Sequence, residues 1–178
     1  MNTFLMIDIV TVSIIAVLMT QLILFLLSTS PEKVNLKKIN DDALIPTRGS
    51  KEAAGYDLYA YIKNDDNNIT IEPHQTVMVN TGISLTAPKG CFCAIFARSG
   101  MAAKQGLAPA NKVGVVDSDY TGEIMVALHN HSNEPKTIFD QDRIAQIVFV
   151  PYTEVFFQEV DTLKSTERGA GGFGSTNQ

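Results

Sequence analysis

Residues 111–122, Asn111-Lys-Val-Gly-Val-Val-Asp117-Ser-Asp-Tyr120-Thr-Gly122, run two adjacent valines into an acidic turn. Val113, Val115 and Val116 favour a strand. Asp-Ser-Asp and Thr-Gly have turn chemistry. The pattern predicts a β-hairpin with an acid and an aromatic near its tip. Gly114 lets a ligand approach the backbone closely, so a flat ring could lie against backbone amides with Asp117 at the mouth of the pocket. An ordinary surface hairpin would carry the same residues, and the rest of the chain decides between the two.

The 178 residues suffice for one compact domain with an appendage. A net charge of −5 without a basic cluster excludes a broad footprint for nucleic acid. A few placed arginines and a metal could still hold a polyphosphate. Cys91 and Cys93 lie two apart in an apolar run, on one face of a strand. Two cysteines cannot make a disulfide framework, and reduced thiols suit a reducing compartment. His74, His129 and His131 find nothing in the sequence to complete a ligand set, which leaves them as solvated or structural residues.

Residues 1–30 differ from everything after. Ile9 to Leu27 carries no charge, and as a helix it would be about 28 Å long, close to the ~30 Å hydrocarbon core. The expectation is an N-terminal transmembrane helix through residues 9–27, with 1–30 as a membrane anchor. A cleaved signal peptide is the alternative, but residues 1–8 lack the positive charge it needs. Residues 31–43 read as a linker. Lys33, Lys37 and Lys38 follow the apolar run and no basic residue precedes it, which puts the following domain on the cytoplasmic side. A start downstream of Met19 would make the protein soluble.

From residue 44 to 163 short strands alternate with turns. Ile69–Ile71, Val77–Val79, Ile83–Leu85, Ile124–Leu128 and Arg143–Val150 are of strand length. Such spacing predicts a β-sandwich or barrel. Only Ser99–Gln105 and Val155–Leu163 could be briefly helical. Residues 164–178 are rich in Gly, Ser and Thr and read as a flexible arm.

Four further stretches carry polar chemistry. In Ala53-Ala-Gly-Tyr-Asp57-Leu-Tyr-Ala60, Asp57 sits in an apolar strand context where a carboxylate needs a partner, ordinarily an arginine. In Ala97-Arg98-Ser99-Gly100-Met-Ala102, a turn opening a short helix offers a guanidinium, a hydroxyl and free N–H groups, which together bind phosphate oxygens. A helix cap by Ser99 is compatible with that role. Asp142-Arg143-Ile-Ala-Gln146 leads polar positions into an apolar strand, with Arg143 suited to an ion pair. Arg168-Gly-Ala-Gly-Gly-Phe173-Gly174-Ser175-Thr176 frees backbone N–H groups to wrap phosphates.

Together with residues 111–122, these stretches resemble, in order, the five motifs of the trimeric dUTP diphosphatases (dUTPases). Ala170 and Met101 depart slightly from the family pattern, and the N-terminal apolar segment departs strongly. The resemblance implies an all-β, jelly-roll-like homotrimer with shared active sites. It implies hydrolysis of dUTP to dUMP and pyrophosphate with Mg²⁺, limiting uracil in DNA and supplying dUMP. Asp117 would be the general base. Asn111 and the backbone of Gly114, Val115 and Val116 would pair with uracil, Met125 would line the base pocket, and Tyr120 would pack on the deoxyribose. Arg98, Ser99, Gly100 and Gln146 would hold phosphates. Arg168, Gly174, Ser175 and Thr176 would close over them while Phe173 stacks on the base. Asp57 would hold a water of the Mg²⁺ shell, which suits a cation that keeps several waters. A dCTP deaminase of the same fold and a non-catalytic nucleotide-binding or signalling protein are the alternatives, and a dUTP turnover assay with product identification separates all three.

Overall fold

The computed structural model describes residues 3–28 and 31–172, with side chains in the first segment described for residues 10–23. A helix, α1 (Thr3–Ser28), is followed by twelve strands: β1 (Asn35–Lys38), β2 (Thr47–Arg48), β3 (Tyr56–Tyr59), β4 (Asn68–Ile71), β5 (Thr76–Asn80), β6 (Ile83–Thr86), β7 (Cys91–Phe96), β8 (Leu107–Pro109), β9 (Val113–Val116), β10 (Met125–Asn130), β11 (Lys136–Phe139) and β12 (Arg143–Pro151). Every pairing is antiparallel among the described residues. One sheet runs β2-β3-β12-β7-β9 and another β5-β10-β8, with β1-β6 and β11-β4 as separate pairs.

Alternation builds the core. β10 buries Val126, Leu128 and Asn130 and turns the residues between them outward. Leu58, Ile71, Val79, Ile138, Ile144 and Ile147 join them at 1% exposure or less. Each large apolar side chain so buried contributes about 1.5–3 kcal/mol before the entropy of ordering is charged against it. Asn130 is tolerated there because its amide donates to the carbonyls of Ile71 and Glu134 and its oxygen accepts from Ser132. Cys91 and Cys93 are free thiols, and burial pushes the Cys93 thiol up to about 11.

The all-β expectation holds, but four details differ. First, the transmembrane helix is corrected: among the described residues no helix is long and apolar enough to cross a membrane. The membrane anchor is thereby left without support. Second, residues 31–43 are more than a linker: β1 pairs with β6 from Asn35↔Thr86 to Lys38↔Ile83, and Ala43 is buried. Lys63 bridges Asp42 (3.0 Å) to Asp140 (2.7 Å), tying that stretch to the turn before β12. Third, β9 and β10 do not form a hairpin. β9 pairs with β7 and β10 with β5 and β8, so residues 117–124 cross between two sheets. Fourth, residues 155–163 carry no helix and are exposed, whereas Met101–Gln105 forms one π-helical turn closed by Gly106 at φ 70°.

Candidate active site

The central strand β12 sets the first half of the site. Its register puts Gln146 opposite Asp57 on β3 and opposite Phe96 on β7. Asp57 is nearly buried and receives two arginines: Arg98 Nε at 2.7 Å and Arg143 Nη1 at 3.2 Å. Arg98 also donates to the Arg143 carbonyl at 3.3 Å. The pair is therefore a three-residue clamp, with each guanidinium left donors to spare. Gln146 Nε2 donates to the Ala97 carbonyl at 2.9 Å, which uses one of its two N–H groups. Its Oε1 lies over Gly55, where a Cβ would overlap it and stand 3.1 Å from Cδ.

These side chains line a cavity of about 560 Å³ together with Ser99, Gly100, Lys104 and Asp142. Three cations face two carboxylates, a balance that favours an anionic ligand. Ser99 does not cap the helical turn. The cap position is Gly100, without a side-chain bond, and the Ser99 hydroxyl makes no hydrogen bond among the described residues.

The second half lies where the chain crosses between sheets. Val115, Val116, Asp117, Tyr120 and Met125 line a small cleft of about 200 Å³ with Met78, Glu123 and Ile124. That is below the ~300–1,000 Å³ of pockets for drug-sized ligands and suits a single ring. β9 is the last strand of its sheet, so one edge of its backbone keeps unpaired donors and acceptors. The Asp117 carboxylate is exposed and makes no hydrogen bond or ion pair among the described residues. Tyr120 donates its hydroxyl to the Glu123 carbonyl at 3.0 Å.

No residue lines both clefts. Asn111 and Gly114 line neither. Gly114 is buried against Ile95, and its missing Cβ would stand 3.3 Å from Asn111 Nδ2. Arg168 is exposed in a turn, its Nε donating to the Gly171 carbonyl at 3.0 Å. Phe173, Gly174, Ser175 and Thr176 lie outside the described residues. Both clefts also take lining residues beyond the candidates read from the sequence, among them Met78, Gly55, Lys104 and Glu123. Met78 reaches the second cleft from β5, through a register no local pattern reveals. Gly55, Lys104 and Glu123 were legible as neighbours of motif residues, Lys104 as the cation ending its turn.

For a metal, no group of three or more His, Cys, Asp or Glu could hold one among the described residues. A Mg²⁺ carried by phosphates and water needs no such cage. Asp57 fits an outer-shell role, because a carboxylate offers about four lone-pair sites and the arginines engage two.

An all-β chain with a cationic cleft, a small apolar cleft and an unengaged carboxylate at the latter defines the class. Residues 41–177 match the dUTPase family. The "Deoxyuridine 5'-triphosphate nucleotidohydrolase" of Nautilia profundicola is 44% identical over 146 residues, 82% of this chain and 99% of that protein. That of Desulfitobacterium hafniense is 47% identical over 147 residues, 81% of this chain and 95% of that protein. Among solved structures, a dUTPase mutant of Staphylococcus bacteriophage 80alpha with dUpNHpp superposes at a TM-score of 0.71, with 24% identity, over 82% of this chain and 98% of that one. A dUTPase mutant from phage phi11 of S. aureus, described with a structural Mg(II) ion, gives 0.65 at 21% identity over 75% of this chain and all of that one. The chain belongs to the dUTPase family.

Proposed function

We infer that the chain hydrolyses dUTP to dUMP and pyrophosphate, and we propose that the two clefts, supplied by different copies in a homotrimer, form the two ends of one site. The observation that carries this is the edge of β9 (Val113–Val116), unpaired among the described residues, beside an Asp117 carboxylate that makes no hydrogen bond or ion pair among them. Asn111 and the edge of β9 from Gly114 to Val116 pair with the uracil edge. Met125 lines the base pocket and Tyr120 packs on the deoxyribose. Arg98, Ser99, Gly100 and Gln146 of the cationic cleft hold the phosphates, Gln146 through its second N–H or a water.

Asp117 takes the proton from the water that attacks the α-phosphorus as pyrophosphate departs. Asp57 would hold a Mg²⁺ through water, and the ion would supply charge screening for the phosphates. Arg168, Gly174, Ser175 and Thr176 close on the phosphates and Phe173 stacks on the base. Positioning and charge complementarity then supply most of the rate. The test is turnover of dUTP with the products identified: dUMP and pyrophosphate in equal amounts are expected. Ammonia release, or binding without turnover, would overturn the reading.

A further inference from the structure

Tyr120 is held by very little of its own packing: it is 42% exposed, and its fixed points are one backbone and one hydroxyl hydrogen bond. Two neighbours decide where its ring can lie. The ring crosses Gly122 so closely that a Cβ there would overlap the hydroxyl, stand 2.6 Å from Cζ and stand 3.0 Å from Cε2. The backbone at Gly122 is not in the left-handed region occupied by Gly82, Gly90, Gly106 and Gly169. Alanine is therefore acceptable to the chain at this position. What stands in its way is the far end of a side chain that can swing. The glycine is there for the ring, not for the turn.

The other neighbour is Glu123, whose carbonyl receives the Tyr120 hydroxyl. Its carboxylate accepts from the Gly82 N–H at 2.8 Å. The next residue is tied to the same β5–β6 turn on both sides: Ile124 N–H donates to the Ile83 carbonyl at 2.9 Å, and the Thr81 hydroxyl donates to the Ile124 carbonyl. Ile124 itself is 1% exposed. The acceptor that fixes the phenol is thus bolted to the domain through a charge-assisted hydrogen bond.

We propose that Gly122 and Glu123 are positioning residues for sugar selectivity, setting the Tyr120 ring where a ribose 2′-hydroxyl would have to be. Gly122 acts by leaving room for the ring, Glu123 by fixing the carbonyl that holds it. This rests on the reading of Tyr120 as the group that packs on the deoxyribose. With the ring displaced, UTP gains space that dUTP does not need, so the ratio of kcat/KM for dUTP to that for UTP falls.

The experiment measures that ratio in the full chain for wild type, Tyr120→Ala, Gly122→Ala, Glu123→Ala and Glu123→Gln, with circular dichroism to verify folding. Gly122→Ala and Glu123→Ala should each lower it by about tenfold or more, the size of a lost steric discrimination, chiefly through a lower KM for UTP. Glu123→Gln keeps an acceptor for Gly82 N–H and should restore most of the ratio. If Tyr120→Ala leaves the ratio at the wild-type value, the sugar reading of Tyr120 is wrong and the proposal goes with it. If Tyr120→Ala lowers the ratio while folded Gly122→Ala and Glu123→Ala do not, the proposal alone is overturned. Should Gly122→Ala fail to fold, the Glu123 pair decides.

Discussion

The two clefts are built in opposite ways. The cationic cleft is cross-braced: Asp57 on β3, Arg143 on β12 and Arg98 just beyond the end of β7 lock one another, and Gln146 is anchored to the Ala97 carbonyl. The base cleft is open, with Asp117 unengaged and Tyr120 tethered only through its backbone neighbours. Phosphates demand fixed charges, and fixed charges near a protein interior need partners. A general base must present a free oxygen to water, so pairing it would defeat it. Substitutions in the first cleft should therefore be felt in stability and phosphate binding, and substitutions in the second in chemistry.

The largest effect expected is that of Asp117→Asn. Asparagine keeps the shape and an acceptor but cannot take the proton, so kcat should drop by about 10²–10⁴ with dUTP binding little changed. Stability should stay within about 0.5 kcal/mol, because no bond is lost. Asp119→Asn, also without a side-chain partner among the described residues, should leave kcat near wild type. Near-normal turnover of Asp117→Asn would erase the contrast between the clefts.

Asp57→Ala should lower stability. It strands Arg98 beside a nearly buried site. Breaking a buried pair costs ~3–5 kcal/mol and an exposed one ~0–1, so this partly exposed pair should cost about 1–3. In this size range that is roughly 2–12 °C in Tm. Gly55→Ala is milder: its Cβ displaces the Gln146 amide. Loss of one phosphate or water contact is worth about 1 kcal/mol, so KM for dUTP should rise roughly fivefold with the fold intact.

The smallest effect lies away from both clefts. Burial, then His129, holds the His131 imidazole below its ordinary 6.5. The folded chain thus disfavours the protonated ring. The contribution to stability is complete above pH ~6.5 and is lost as pH falls from there through the folded-state value. His131→Gln should reduce the acid-side fall in Tm slightly and leave Tm at pH 8 unchanged.

Much of this was legible before the fold was known. Alternation located β4, β5, β6, β10 and β12 within a residue or two, because each turns one apolar face inward. It could not name partners. Val113–Val116 looked like half of a hairpin, yet its neighbour is β7, reached across the sheet. β1 was invisible because Asn-Leu-Lys-Lys offers a single apolar residue, and pairing with β6 makes it a strand. The apolar composition of residues 9–27 was plain, but composition did not establish a spanning helix. In the site, motif residues stand out because charges and glycines break an apolar pattern. Met78 does not stand out, being one apolar residue among many until the register brings it to the cleft.

The proposal that most needs a direct test is that one site takes its parts from different copies, since the two clefts of a single chain share no residue. Asp117→Asn chains and chains truncated before Arg168 should each be nearly inactive alone. Co-expressed with different tags and purified as mixed trimers, they should recover a substantial part of dUTP turnover, because some sites then combine an intact Asp117 with an intact arm. Verified mixed trimers that remain as inactive as either parent would contradict the shared site.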